Sequence, residues 1–188
     1  AMVNDFLGQM AVRGGGPQDN LYLIDHVPWP VPFHFGGIVS TVNSGLLDEV
    51  DLYAAAFGPK WGNAQDAVLD ARTRGGARDR LHARADVNRL MSAALLEGPA
   101  GPWESSWTLG ARRSYLDLLF GRMFEGTVTA FPRFQDAGGT LDARPTAHDR
   151  VHAIALATDD TLGLLLTPEE TGNTTFTGSF HYRNTYVT

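Results

Sequence analysis

The chain contains no cysteine among its 188 residues. That absence excludes disulfide bonds, a thiolate nucleophile and any metal site that needs cysteine ligands. Lysine occurs only once, at Lys60, beside fourteen arginines, a bias typical of a GC-rich bacterial genome. The net charge of −6 provides no excess of positive charge, which a general nucleic-acid-binding protein needs to displace counterions.

Long apolar runs are also missing. The longest aliphatic stretch, residues 162–166, has about five residues, whereas a membrane-spanning helix needs about 20. The first residues lack the basic and apolar regions of a secretory signal. With 43% apolar and 19% charged residues, the composition is that of an ordinary soluble domain. We therefore expect a cytoplasmic protein whose partners include neither a membrane nor nucleic acid, and which could form a homo-oligomer.

The length fits a single domain, residues 1–188. Its expected parts are a flexible arm (1–20), an extended segment (21–43), a helical part (45–125) and an antiparallel sheet (127–188). The extended segment contains alternating prolines, Pro28, Pro30 and Pro32. Each proline removes a backbone donor, so this segment is expected to lie at the edge of a sheet.

The helical part is predicted from apolar residues that recur every three to four positions. The clearest such stripe consists of Ala83, Val87, Leu90, Met91, Ala94 and Leu95. After Gly126 the period changes from 3.6 to 2, which favours strands, and the segment from 174 to 188 alternates most cleanly. The sequence therefore predicts an α+β fold, with helices at about 45–125 packed on a C-terminal antiparallel sheet.

Two histidines lie four positions apart in "TAHDRVHAIALA", residues 146–157. His148 and His152 share one face of a strand, and Asp149 lies between them. If Asp159 and Asp160 formed a two-residue hairpin turn, His152 would lie at the rim of the sheet. His152, His148 and Asp149 are therefore candidate catalytic residues for acid/base chemistry.

Two other interpretations of these histidines remain. They can be rim residues that bind their neighbours by hydrogen bonds. They can also be metal ligands, but the metalloprotease spacing requires a helix, and this stretch is strand-like. We therefore predict neither a metal nor a cofactor.

Aromatic residues surround a third histidine in the proline-rich segment. His34, with Trp29, Phe33 and Phe35, could line a pocket of the apolar kind that small molecules occupy. The alternative is that these aromatic residues form part of the core.

His181 and Arg183 alternate with the aromatic residues of the last strand. Together they could bind an anionic ligand, because a guanidinium forms strong hydrogen bonds to anions. The alternative is an ordinary solvated face.

These patterns predict a soluble small-molecule-binding domain with an aromatic-lined pocket. Acid/base chemistry on a carbonyl or hydroxyl substrate is the reaction that the histidines suggest, and the sequence leaves open whether the chain is an enzyme. The alternative is a non-enzymatic interaction or assembly module. Its partners would dock on the Pro/Trp strip and on the C-terminal strand.

Overall fold

A computed structural model describes residues 2–4, 7–16, 19–34, 37, 39–54, 57–62, 64–115, 129–166 and 176–188. Most of the residues that the structure describes lie in strands. The described ranges contain no α-helix, and a 3-10 turn lies at Ser44–Leu46. No helix there is long and apolar enough to cross a membrane.

The described residues form twelve strands. They are β1 (Met2–Asn4), β2 (Leu7–Ala11), β3 (Asn20–Ile24), β4 (Val27–Pro28), β5 (Leu47–Tyr53), β6 (Ala67–Thr73), β7 (His82–Val87), β8 (Met91–Gly101), β9 (Ser105–Ser114), β10 (Thr129–Ala143), β11 (Val151–Leu166) and β12 (Phe176–Val187). β1 and β2 pair with each other. β3 to β6 form a four-stranded sheet in the order β4-β3-β6-β5, and β7 to β12 form a six-stranded sheet.

The six-stranded sheet is an antiparallel meander in which each strand pairs with the next one along the chain. Its longest strands, β10 and β11, have 15 and 16 residues. At about 3.4 Å per residue, each is about 50 Å long. They pair without interruption from Thr129↔Leu165 to Ala143↔Val151.

The four-stranded sheet and the described residues that connect its strands form what we call the N-terminal unit, residues 19–77. Its central strands, β3 and β6, are parallel, and β4 lies at one edge. At this edge Pro28 of β4 needs no backbone N–H donor, which agrees with the edge position predicted from the prolines. The shared apolar core joins Ile24 and Leu46 of this unit to Leu95 and Ile154 of the six-stranded sheet.

Burial on the six-stranded sheet is the reverse of the usual pattern. Its inner face, which packs on the N-terminal unit, buries the polar residues Ser106, Thr108, Ser114, Asp136, Thr140, Asp142, Thr158 and Asp160. Its outer face exposes the apolar residues Leu96, Leu109, Leu141, Val151 and Val187. The covered side of this sheet therefore combines these polar residues with the core residues Leu95 and Ile154, and the uncovered side is largely apolar.

The predicted α+β fold is wrong, because the supposed helical part contains β5 to β9 wherever it is described. In the β7–β8 hairpin, Arg84 pairs with Leu95 and Ala83 pairs with Leu96. Leu95 lies on the inner face and Leu96 on the outer face, so the helical spacing of the stripe was coincidental. Tertiary pairing overrides the local helix propensity of this alanine- and leucine-rich stretch.

The hairpin predicted at Asp159–Asp160 is also wrong, since both residues lie inside β11. The strand continues through them to Leu166, and Ile154 pairs with Thr140 of β10. Each aspartate has its own partner, on opposite faces of the strand, which explains how a strand accommodates two adjacent acids.

Candidate functional site

The inner face meets the N-terminal unit through two clusters of ionisable side chains. In the first, which we call the His34 cluster, Nδ1 of His34 lies 3.0 and 3.1 Å from the two carboxylate oxygens of Asp160. Nε2 of the same ring lies 3.0 Å from Oδ2 of Asp136. Arg112 donates to Asp136 from Nε at 3.0 Å, and its Nη2 donates to the carbonyl of Ser40.

The charges of the His34 cluster balance when the imidazole is protonated. Both ring nitrogens face carboxylates, and only the imidazolium form can donate from both. Burial lowers the pKa of His34, but the hydrogen bonds and charges of Asp136 and Asp160 outweigh it and raise that pKa above 6.5. The ring also stacks on Phe134 at 4.2 Å between centroids. The cluster therefore fixes residue 34 against β10 and β11.

The second cluster, which we call the His152 cluster, joins Asp25, Thr73, Asp142 and His152. The Thr73 hydroxyl donates to Asp25 at 2.7 Å and lies 2.7 Å from Nε2 of His152. Nδ1 of His152 lies 3.2 Å from Asp142, which pairs with it across the β10–β11 hairpin. Asp142 is fully buried and also accepts from Arg78 and Arg150, each at 2.7 Å.

Asp25 links this cluster to the turn between β3 and β4. Its φ of +49° lies in the left-handed region, which non-glycine residues seldom adopt. Burial raises the pKa of Asp25, but hydrogen bonds from His152 and Thr73 outweigh it and lower that pKa below 3.8. A cavity of about 690 Å³ opens beside Asp25 and His152, and Arg72, Arg74 and Arg150 line it.

Together the clusters bind the N-terminal unit to the inner face by ion pairs. Every cationic group in them is paired, so the arrangement suits attachment better than proton transfer to a substrate. Within the part of the chain that the structure describes, no group of three or more histidine or acidic side chains is placed to hold a metal ion.

The three candidate catalytic residues lie apart. His152 belongs to the cluster above, whereas Asp149 accepts from the Thr146 hydroxyl in an exposed connection that also contains His148. No described contact joins His148 or Asp149 to His152. A catalytic role for these residues stays a prediction.

The aromatic candidates are also divided. Trp29 is only 7% exposed and packs in the shared core, and Phe33 makes an edge-to-face contact with Tyr22 at 5.7 Å. His34 lies between two carboxylates, and Phe35 lies outside the described residues. Ligand binding by these residues stays a prediction.

The remaining candidates, His181 and Arg183, share the outer face of β12. His181 lies 3.2 Å from the Thr161 hydroxyl, and Arg183 donates to Asp159 at 2.9 Å. Both side chains are exposed. The structure therefore brings this pair together, and its binding role stays a prediction.

The sequence interpretation missed the carboxylates Asp136, Asp142 and Asp160, and also Arg112. A signal was present: Asp136 and Asp142 lie an even number of positions apart in one strand, so they share a face. Acids on the same face as buried residues need partners, which indicates an ion-paired interface.

The two pKa shifts predict opposite pH dependences. Because the pKa of His34 is raised, its contribution to stability is complete below pH 6.5 and is lost as the pH rises through the folded-state value. The contribution of Asp25 is complete above pH 3.8 and is lost as the pH falls through its lowered pKa. We expect the stability difference between wild type and His34→Gln, measured by urea unfolding, to shrink as the pH rises.

His148→Gln serves as the control, because His148 is exposed. Its difference from wild type should stay near zero across the same pH range. A constant difference for His34→Gln would contradict a charged His34.

Two solved structures have a similar fold. A double mutant of the ferric enterobactin receptor PfeA from Pseudomonas aeruginosa matches 94% of this chain and 31% of its own, with 15% identity and a TM-score of 0.55. The siderophore receptor PirA from Acinetobacter baumannii matches 82% of this chain and 25% of its own, with 14% identity and a TM-score of 0.50. No family model and no curated protein matches the sequence.

These neighbours correct the predicted function and location. The predicted soluble, cytoplasmic small-molecule-binding domain without a membrane partner is wrong, because the structures with a similar fold are those of a ferric enterobactin receptor and a siderophore receptor. In the alternative, an assembly module docking through the Pro/Trp strip and the C-terminal strand, Trp29 is buried and so is not available to a partner. Docking on the C-terminal strand stays a prediction. The chain spans about a third or less of either neighbour's length, and at these identities the likeness establishes a shared fold.

Proposed function

We propose that this chain is part of a membrane-embedded siderophore receptor. Its six-stranded sheet would lie in the bilayer, and its N-terminal unit would occupy the inner face. The reversed burial of the sheet carries this proposal: strands that face lipid are apolar outward and polar inward. In water, the exposed Leu109 and Leu141, about half accessible, would instead form an unfavourable apolar surface.

The dimensions of the sheet support this assignment. A strand that crosses a bilayer needs about 9–11 residues. β8, β9, β10 and β11 have 11, 10, 15 and 16 residues. On the outer face of β11, the apolar positions from Val151 to Ala157 extend about 20 Å, close to the apolar band of about 25 Å found on such proteins.

The proposal is tested by vesicle flotation of the chain refolded with phosphatidylcholine. We expect the wild type to float with the vesicles. Leu109→Arg places a charge in the middle of the outer face. It should make the free energy of partitioning into the vesicles less favourable by about 2–4 kcal/mol, so that most of the variant stays in the lower fractions. Leu81→Arg is the matched control, since Leu81 is 64% exposed and lies outside the strands.

A wild-type chain that remains in the lower fractions would contradict membrane embedding. So would equal losses for Leu109→Arg and Leu81→Arg, because those would reflect added charge alone.

The ligand is proposed from the names of the two neighbours. Ferric enterobactin is the natural probe, and binding to the detergent-solubilised chain can be followed by quenching of its four tryptophans. Saturable quenching is expected. Linear quenching without saturation would argue against a siderophore site in this chain.

A further inference from the structure

A row of polar side chains crosses the outer face beyond one end of its apolar band. Arg113, Gln135, Asp159 and Arg183 are consecutive partners across β9, β10, β11 and β12. Since neighbouring strands are about 4.8 Å apart, the row is about 15 Å long. Next to it, and further from the band, Arg133 precedes Gln135 by two positions on the same strand.

This row has an excess of positive charge. The row and the adjacent Arg133 together contain three guanidiniums, those of Arg113, Arg133 and Arg183, but only one carboxylate, that of Asp159. Arg183 pairs with Asp159 at 2.9 Å and is still 80% exposed. Arg113 is exposed and has no hydrogen-bond or ion-pair partner among the described residues. Three guanidiniums and one carboxylate give the group a net positive charge, which attracts an external anion, and the exposed Arg183 can contact that anion while it stays paired with Asp159.

Small apolar residues lie directly below the polar row. Ala111, Ala137 and Ala157 are consecutive partners in the register, and they line a groove of about 440 Å³ together with Arg113 and Arg183. The groove adjoins a second one of about 450 Å³, with an almost entirely apolar lining that includes Leu109, Leu141 and Val187. The surface thus joins a cationic rim to a continuous, open apolar groove.

We infer that this surface binds an anionic membrane lipid. The guanidiniums of Arg113 and Arg183 hold its phosphate, and an acyl chain lies over the three alanines. Charge complementarity selects the lipid: guanidiniums bind phosphate oxygens by strong paired hydrogen bonds, and the three alanines offer an apolar surface that suits hydrocarbon. The inference rests on the proposed function, because it places the outer face in a bilayer.

Flotation compares vesicles of phosphatidylcholine alone with vesicles that also contain phosphatidylglycerol. The wild type should bind the anionic vesicles on the order of 20-fold more tightly, since each basic side chain near an anionic surface contributes about a fivefold gain. Arg113→Gln/Arg183→Gln should lose most of that preference. The control variant Arg80→Gln/Arg144→Gln removes the same amount of charge from exposed residues outside the strands. It should keep the preference for anionic vesicles. Added inorganic phosphate should not compete.

The outcomes separate the two proposals. Equal binding of the wild type to both vesicles would overturn the lipid site and leave membrane embedding intact. Failure to bind either vesicle would overturn the proposed function and the lipid site together. Equal losses of binding in the two double variants would show a general attraction of positive charge to the vesicles. Displacement by inorganic phosphate would show a site for free anions. Either result would overturn the lipid site alone.

Discussion

Replacing Asp136 by asparagine is expected to lower the free energy of unfolding by about 3–5 kcal/mol. The substitution keeps the size of the side chain but removes the charge that faces both His34 and Arg112. Those two groups are almost fully buried, at 1% and 8% side-chain exposure. Water cannot replace the lost carboxylate, so His34 would keep only Asp160 and Arg112 only the carbonyl of Ser40. Urea unfolding in detergent at pH 6 measures the effect.

Asp159→Asn is the matched control. Asp159 precedes Asp160 in the same strand but pairs with the exposed Arg183, and exposed pairs contribute less than about 1 kcal/mol. Losses of similar size in Asp136→Asn and Asp159→Asn would show that the His34 cluster does not stabilise the protein. A double-mutant cycle of Asp136→Asn with His34→Gln should be strongly non-additive, because the two residues are in contact.

The second large effect is expected at Gly76, where the chain leaves the N-terminal unit. A Cβ atom at Gly76 would lie 2.0 Å from the carbonyl oxygen of Trp107 and 2.6 Å from its carbonyl carbon. Both are backbone atoms of β9, so no side-chain rotation relieves the clash. Gly76→Ala should therefore cost about 3 kcal/mol, at the upper end of the range for overpacking.

Gly58→Ala is the control, because nothing lies within 4 Å of a Cβ at Gly58. In thermal unfolding, the melting temperature should decrease clearly for Gly76→Ala and hardly at all for Gly58→Ala. An unchanged melting temperature for Gly76→Ala would mean that residues 74–77 do not pass so close to β9.

Some elements of the fold could be predicted from the sequence. The period of two in the last segment identified β12, because its residues alternate between the two faces of the sheet. The prolines correctly placed Pro28 at a sheet edge. These successes rest on local backbone chemistry, which does not depend on what surrounds the chain.

The failures have a common cause. The interpretation assumed that apolar side chains point to a protein core and polar ones to water, whereas Leu109 is exposed and Asp142 is fully buried. The same assumption hid the site, since a buried acid is explained only by partners from distant strands. Arg112, for example, lies in β9 and His34 in the connection between β4 and β5, and no local pattern brings them together.

The His34 cluster also constrains the order in which the molecule can be assembled. Its two carboxylates follow His34 by 102 and 126 positions. Because synthesis proceeds from the N-terminus, β3 to β6 exist before either carboxylate has been made. A nascent chain that ends before β11 can therefore pair its early strands but cannot complete this anchor, so docking is among the last events of maturation.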